Sequence, residues 1–371
     1  MRKNWLKKVL SIALTIVVAG SLAACGNGNS NDNASKQNES SQKTEENKQE
    51  ESGQKEKKDV PEVVNIGVQT LITPELVARY EKIYEEYLGT KVNLVQFDSG
   101  ADVNKAFSGK SVDIAAFGSS PAALGISNDL GFEVFWYYDV IGSAETLIAT
   151  KKSGATKIED LKGLKVATPF ASTAHYSLLN ALKQANVDPS EVELLDMQPD
   201  DIYAAWKRGD IDAAYVWNPV LGQLKKEEGV VITDSGKLAE QGIVTADVGA
   251  VRKEFAEQYP DVVVNYVKAQ LYALDKFNND KDNAVKAIAQ AAGISEEDAA
   301  SQVQDFTYPS GEEQITEEYL GTKDKKGKLA QTLKNTADFL VEQGSIEKAP
   351  ELSVFEDSVT GEFIEKALSD K

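Results

Sequence analysis

The sequence predicts an α/β protein of two lobes, and three features carry that expectation. Short β-branched segments alternate with segments of helical periodicity from Val63 onward. The alternation restarts after Ala149 and ends on a strand-like segment from Asp247 to Val251. The two halves also echo each other. Val112-Asp113-Ile114-Ala115-Ala116-Phe117 runs into Gly118-Ser119-Ser120-Pro121, and Ile211-Asp212-Ala213-Ala214-Tyr215 runs into Val216-Trp217-Asn218-Pro219. Each reads as a buried strand, a short loop and a helix opened by proline; coincidence between short apolar strands is the alternative.

In chain order, the first segment is an export signal. Arg2, Lys3, Lys7 and Lys8 precede a run from Val9 to Ala24 that is apolar or small except for Ser11, Thr15 and Ser21. Leu22-Ala23-Ala24-Cys25 closes it, followed by Gly26. A positive start, a short apolar stretch and a small-residue cleavage site make residues 1–25 a signal peptide. A membrane span needs roughly 17–25 apolar residues, so the spanning alternative is the weaker one. The tetrapeptide resembles the lipobox of bacterial lipoproteins, which implies lipidation of Cys25 and tethering at the outer face of the cytoplasmic membrane. The alternative is ordinary cleavage after Ala24. Cys25 is the sole cysteine, so no disulfide within one chain can staple the fold. Residues 26–62 are expected to form a disordered polar linker: up to residue 59 only Ala34 carries an apolar side chain, and nothing there can bury surface.

The folded part begins with a strand from Val63 to Gln69. Pro74 opens a helix whose apolar face is Leu76, Val77, Tyr80, Ile83, Tyr84 and Tyr87. Strands follow at Lys91 to Phe97 and Val112 to Phe117, then a helix opened by Pro121. In the second lobe, strands at Lys165 to Thr168, Glu193 to Leu195 and Ala213 to Val216 alternate with helices. Those helices run from a Ser172 or Thr173 cap through Leu182, from Asp200 to Arg208, and onward from Pro219. The last third is helical, with one face along Val263, Val264, Val267, Leu271 and Leu274 and another helix from Leu329 to Leu340. The resulting boundaries are 63–148 and 248–371 for lobe 1 and 149–247 for lobe 2.

Composition narrows the function. The chain carries 40 Lys+Arg against 59 Asp+Glu, a formal charge of −19, which becomes −23 once the signal peptide's four basic residues are removed. That balance disfavours nucleic acid and anionic membrane surfaces as partners, but not a small anion met by local donors. One histidine and one cysteine, neither with a partner at ligand spacing, give no metal site. No phosphate-binding loop or dinucleotide fingerprint appears, so no cofactor is expected. His175 has no nucleophile marked out as its partner, and an enzyme is poorly supported. Asp98-Ser99-Gly100 and Arg208-Gly209-Asp210 read as turns.

Three groups suit binding instead. Ser119 and Ser120 before Pro121, and Ser172 and Thr173 before His175 and Tyr176, place hydroxyls and free N–H groups at helix N-termini, which attract anions. Plain N-capping is the alternative for either one. The third group is Glu145, Asp247, Trp217 and Tyr176, because carboxylates beside aromatic faces suit a compact ammonium. Taken singly, each acid reads more readily as a solvated charge and each ring as core; Glu145 and Asp247 gain weight because both flank the expected lobe crossings.

From about Val63 to the C-terminus the sequence resembles the substrate-binding components of taurine ABC importers. The resemblance rests on Phe97-Asp98-Ser99-Gly100-Ala101, Gly118-Ser119-Ser120-Pro121 and the run from Pro169 to Leu179. It rests also on Arg208-Gly209-Asp210-Ile211-Asp212 leading to Tyr215-Val216-Trp217, and on Asp247-Val248 ahead of Val251-Arg252-Lys253. It implies a two-lobed periplasmic-binding-protein type II fold, each lobe a mixed sheet flanked by helices, acting as a monomer. It further implies closure on taurine and delivery to an ABC permease and its ATPase; another aliphatic sulfonate, nitrate or a thiamine pyrimidine precursor is the alternative ligand. On that footing Ser119, Ser120, Ser172 and Thr173 are expected to hold the sulfonate and Glu145 and Asp247 the ammonium. Trp217 and Tyr176 are expected to wall the cleft, Gln69 to line it, and His175 to sit at its edge or to cap and pack. Gly249 departs from the family pattern, which has a bulkier aromatic residue there. A related enzyme of pyrimidine synthesis would be cytosolic, against the export signal, and a surface adhesin is the remaining class.

Overall fold

A computed structural model describes residues 60–370. The signal peptide, Cys25 and the linker as far as residue 59 lie outside the described residues. Val60 already packs on the first core, and the Thr90 hydroxyl donates to the Pro61 carbonyl at 2.5 Å, so the folded part starts slightly before the expected Val63.

Eleven strands form two mixed sheets among the described residues. They are β1 Val63–Val68, β2 Lys91–Gln96, β3 Ile114–Gly118, β4 Phe132–Ile141, β5 Glu145–Ala149, β6 Lys165–Thr168, β7 Glu193–Asp196, β8 Ala213–Trp217, β9 Val230–Asp234, β10 Ala246–Arg252 and β11 Phe306–Thr307. The first sheet has the order β11-β4-β10-β3-β1-β2 and the second β7-β6-β8-β5-β9. In the first, β1 runs parallel to β2 and β3 while β10 is antiparallel to β3 and β4. In the second, β6 is parallel to β7 and β8, and β5 antiparallel to β8 and β9. Helices flank both sheets, as expected.

Burial follows the two-residue period of a strand. Leu147 and Tyr215 of β5 and β8 point into one apolar cluster of the second sheet, and Ile148 and Val216, their neighbours, into another on its opposite face. Strands covered on both faces are buried at every position rather than at alternate ones, as β3 is with its unbroken Ile114-Ala115-Ala116-Phe117 run and as β5 is, which buries Glu145 and Thr146 as well. The long helix Pro260–Asn279 lays Val263 and Val267 into the first core and buries Leu274 further along.

The structure departs from the sequence reading at four places. The helix from Pro74 is two helices, Glu75–Glu81 and Tyr84–Leu88, because Lys82 turns left-handed at φ 58° and gives its N–H to the Ala78 and Arg79 carbonyls. Tyr80, near the end of the first helix, is 47% exposed and is not part of the buried face. The helix assigned to Pro121 starts at Ser119 (Ser119–Ser127), with Gly118 as its N-cap and the proline inside the first turn, where its missing N–H costs nothing. The helix Gly100–Ser108 and strands β4, β5, β9 and β11 were not expected. Lastly, the chain passes to the second sheet between Ile141 and Glu145 and returns between Asp234 and Ala246. The residues 145–148, allotted to lobe 1, pair with β8 and β9, and Asp247, allotted to lobe 2, pairs with β3 and β4.

Candidate ligand-binding site

One cavity takes its walls from both sheets and encloses about 420 Å³ of non-protein space, its mouth included. The first sheet and its loops contribute Gln69, Leu71, Gly100, Gly118, Pro121, Ile141, Asp247 and Phe306; the second contributes Glu145, Ser172, Thr173, Trp217 and Asn218. Gln69, Gly118 and Trp217 stand at or just beyond the C-terminal ends of β1, β3 and β8, the edge where open α/β sheets hold ligands.

Each wall is positioned by its element. Arg79, paired to Glu75 at 2.6 Å, donates to the Gln69 carbonyl at 2.7 Å and fixes that turn. The helix Thr173–Gln184 begins at the cavity, capped by Ser172, whose Oγ accepts the His175 N–H at 3.1 Å and donates to the Pro169 carbonyl at 2.6 Å. The Ser172 hydroxyl proton is thereby committed within the protein. The backbone N–H groups of Thr173 and Ala174, in the first turn, are the donors left over. Ser119 accepts the Ala246 N–H at 3.2 Å, while the Ser120 hydroxyl is buried with no partner. The two helix N-termini approach closely: a side chain on Gly118 would stand 2.7 Å from the Thr173 Cγ2.

The acids are the unusual part of the site. Glu145 is 3% exposed, Asp247 5% and Asp139 0%. Glu145 accepts hydrogen bonds from the Thr173 hydroxyl and, at 3.2 Å, from the Ser235 hydroxyl. Burial, with the Asp247 charge adding to it, pushes the Glu145 carboxyl up to about 8 despite those donors. Burial likewise raises Asp247. Asp139, opposite Asp247 in the β4–β10 ladder, is raised well above the carboxylate range by burial and then by Asp247. Neither Asp139 oxygen makes a hydrogen bond; the Asp247 backbone N–H, outside hydrogen-bond geometry, offsets the shift only in part. Among the described residues no lysine, arginine or histidine forms an ion pair with any of the three.

The sequence-derived candidates divide accordingly. Gln69, Glu145, Ser172, Thr173, Trp217 and Asp247 converge on the cavity. Ser119 and Ser120 lie directly behind Gly118, with Ser119 tied to the second lobe crossing. Tyr176 does not wall the cleft: it packs edge-on to Phe339 at 5.2 Å, in a cluster with Leu179. His175 stacks on Phe170 at 4.4 Å and accepts the Ala171 N–H at 3.3 Å, so its ring braces the loop before the helix. Burial depresses it to about 4, with Asp196 opposing. Gly249 lies outside the lining, and its open side is filled by Trp136 and Tyr138. Leu71, Gly100, Ile141, Asn218 and Phe306 were missed; of these only Gly100, read as part of a turn though it opens the helix Gly100–Ser108, and Asn218, in the second member of the internal echo, had a sequence signal.

Comparison with known proteins gives a consistent result. The model of the NMT1-like family matches residues 57–293. The taurine-binding periplasmic protein of Escherichia coli (strain K12) is 37% identical over 289 residues, covering 76% of this chain and 87% of that one. Among solved structures, the alkanesulfonate-binding protein SsuA from Xanthomonas axonopodis pv. citri bound to MOPS superposes with a TM-score of 0.68 at 19% identity, covering 81% of this chain and 98% of that one. The desulfurization enzyme DSZB superposes at 0.59 and 15% identity over 84% of this chain and 99% of that one. At such identities the likeness establishes the fold alone, which this set of proteins uses for binding and for catalysis. The two-lobed architecture expected from the residue runs is thus met, and by a match over more than half its length the chain belongs to the NMT1-like family.

Proposed function

We propose that this chain captures taurine outside the cytoplasm and passes it to the permease and ATPase of an ABC importer. The carrying observation is the pairing, in one cavity, of buried acids that no basic side chain of the described residues meets with the N-termini of two helices, whose first turns present N–H donors. Buried carboxyls without a partner are costly, and an ammonium offsets that cost. Unsatisfied N–H groups at a helix start favour a sulfonate for the complementary reason. A solute with both charges on a two-carbon spacer answers both ends, and the 37% identity to a taurine-binding protein supports the same ligand. The likeness to an alkanesulfonate-binding protein supports a second reading, a sulfonate without the amine. Such a ligand leaves Glu145 and Asp247 uncompensated.

In this reading Glu145 and Asp247 hold the ammonium, with Trp217 and Gln69 beside it. The first-turn N–H groups of the two helices, with Ser120, hold the sulfonate. A lipid on Cys25 keeps the receptor at the outer face of the membrane, near its importer. Calorimetric titration with taurine, ethanesulfonate and β-alanine tests the ligand. Taurine is expected to bind most tightly; equal binding of ethanesulfonate contradicts the ammonium subsite, and absence of taurine binding contradicts the assignment.

A further inference from the structure

Just before β11, Asp305 touches all three residues of the outgoing crossing between the sheets, Gly142, Ser143 and Ala144. Its backbone carbonyl accepts the Gly142 N–H at 3.1 Å and the Ala144 N–H at 3.4 Å. Its carboxylate accepts the Ser143 hydroxyl on Oδ1 at 2.6 Å and the Asn218 side-chain amide on Oδ2 at 3.1 Å. Gly142-Ser143-Ala144 is the segment between β4 and β5, the point at which the chain passes from one sheet to the other. Asn218 belongs to the second lobe and lines the cavity, and its own N–H returns to the Ala144 carbonyl at 3.2 Å. The fit at the crossing is tight: a side chain on Gly142 would stand 2.5 Å from the Asp305 carbonyl oxygen. The next residue, Phe306, lines the cavity and pairs with Ile141.

One carboxylate therefore joins a cavity-wall residue of the second lobe to the chain crossing and, through the backbone, to a cavity-wall residue of the first. We propose that Asp305 is a positioning residue that couples occupancy of the cleft to the geometry of the lobe crossing. A ligand resting against Asn218 holds its amide toward Asp305, and Asp305 in turn holds Ser143 in the closed arrangement. When the cleft empties, Asn218 loses its ligand-side support and the crossing is released. This rests on the reading of the cavity as a taurine site only for the choice of probe.

The Asn218–Asp305 bond joins the lobes and, in this proposal, belongs to the closed state. Its loss acts on escape of the ligand and leaves first docking alone. Asparagine at 305 still accepts from Asn218 with its carbonyl oxygen and donates to the Ser143 oxygen with its amide, so both links survive without the charge. Alanine loses both. Stopped-flow intrinsic tryptophan fluorescence of the full chain, with Trp217 in the cavity wall, reads the two rates with taurine. Asp305→Ala is expected to raise the off-rate about tenfold with the on-rate within about twofold, and Asp305→Asn to stay within about threefold of the parent. An unchanged off-rate in Asp305→Ala, or an equal rise in Asp305→Asn, overturns the proposal. Should Asp305→Ala fail to fold, Ser143→Ala, which removes only the link to the crossing, must also raise the off-rate; no rise overturns it. Should the parent not bind taurine, the functional reading fails by itself. Amide exchange then decides on the coupling: Gly142 and Ala144 must exchange faster in Asp305→Ala, or for lack of that protein in Ser143→Ala, than in the parent and Asp305→Asn. Equal exchange overturns it.

Discussion

Asp139 and Asp247 face each other across the antiparallel ladder of β4 and β10, both almost wholly buried and neither paired to a basic side chain. With Glu145 nearby they make a site whose preferred charge is set by what enters it. Without a ligand, burial favours the protonated acids; a bound ammonium favours the carboxylates. Taurine binding is therefore expected to release protons to the buffer, and affinity to rise from about pH 6 to about pH 8, as Glu145, raised to about 8, ionises more readily. Calorimetry in two buffers of different ionisation enthalpy measures the release. A heat independent of buffer contradicts this.

The same groups act on stability with a definite sign. The Glu145 carboxyl is raised from 4.5 to about 8 in the folded chain, so its stabilising contribution is full below the unfolded value and is lost as pH rises through the folded one. The unliganded protein is expected to lose stability across that window, on the order of a few kcal/mol in total. Glu145→Gln should flatten the decline, read as unfolding midpoints against pH. A parallel decline in both proteins contradicts the assignment to Glu145.

Gly118 tests how closely the lobes must meet. A Cβ there would stand 2.7 Å from Thr173 Cγ2 on the facing helix. Gly118→Ala is expected to prop the cleft open and weaken taurine binding by at least about tenfold, with the unfolding midpoint of the empty protein shifted by only about 2 °C. Unchanged affinity would mean that the two helix ends need not approach.

His175 is expected to matter for the loop alone. Its ring stacks on Phe170 and accepts the Ala171 N–H. His175→Ala should cost about 1 kcal/mol of stability and change taurine affinity by less than about threefold. A large loss of affinity with intact stability would return His175 to the ligand.

Much of this was legible in the sequence, for reasons that differ by residue. The strand-loop-proline echo located Gly118 and Trp217, because a buried strand and a proline-opened helix both leave strong local patterns. Glu145 and Asp247 were placed by their proximity to the lobe crossings, though the crossings themselves were misdrawn by a few residues. β5 is buried throughout, but its apolar part is only Leu147-Ile148-Ala149, and nothing in so short a run says which sheet it joins. Tyr176 and His175 share a helix start with Thr173, but helical geometry turns them onto different faces, one toward Phe339 and one toward Phe170. Phe306 and Asp305 gave no sequence signal: β11 has two residues, and its place depends on pairing with Ile141, far away in the chain.

The tether is open to a separate check. Cys25, outside the described residues, is expected to incorporate labelled palmitate in a lipoprotein-processing host, and Cys25→Ala to abolish the label. Label retained in that variant contradicts the lipobox reading.

The central claim is that Asp247 reads the ligand's ammonium, and a four-way comparison tests it most directly: taurine and ethanesulfonate, each titrated against the parent and Asp247→Asn. The parent is expected to prefer taurine by at least about a hundredfold, since ethanesulfonate leaves the buried acids uncompensated. In Asp247→Asn that preference should fall by at least about tenfold, with ethanesulfonate binding held or improved. A taurine-to-ethanesulfonate ratio that is the same in both proteins would contradict the account.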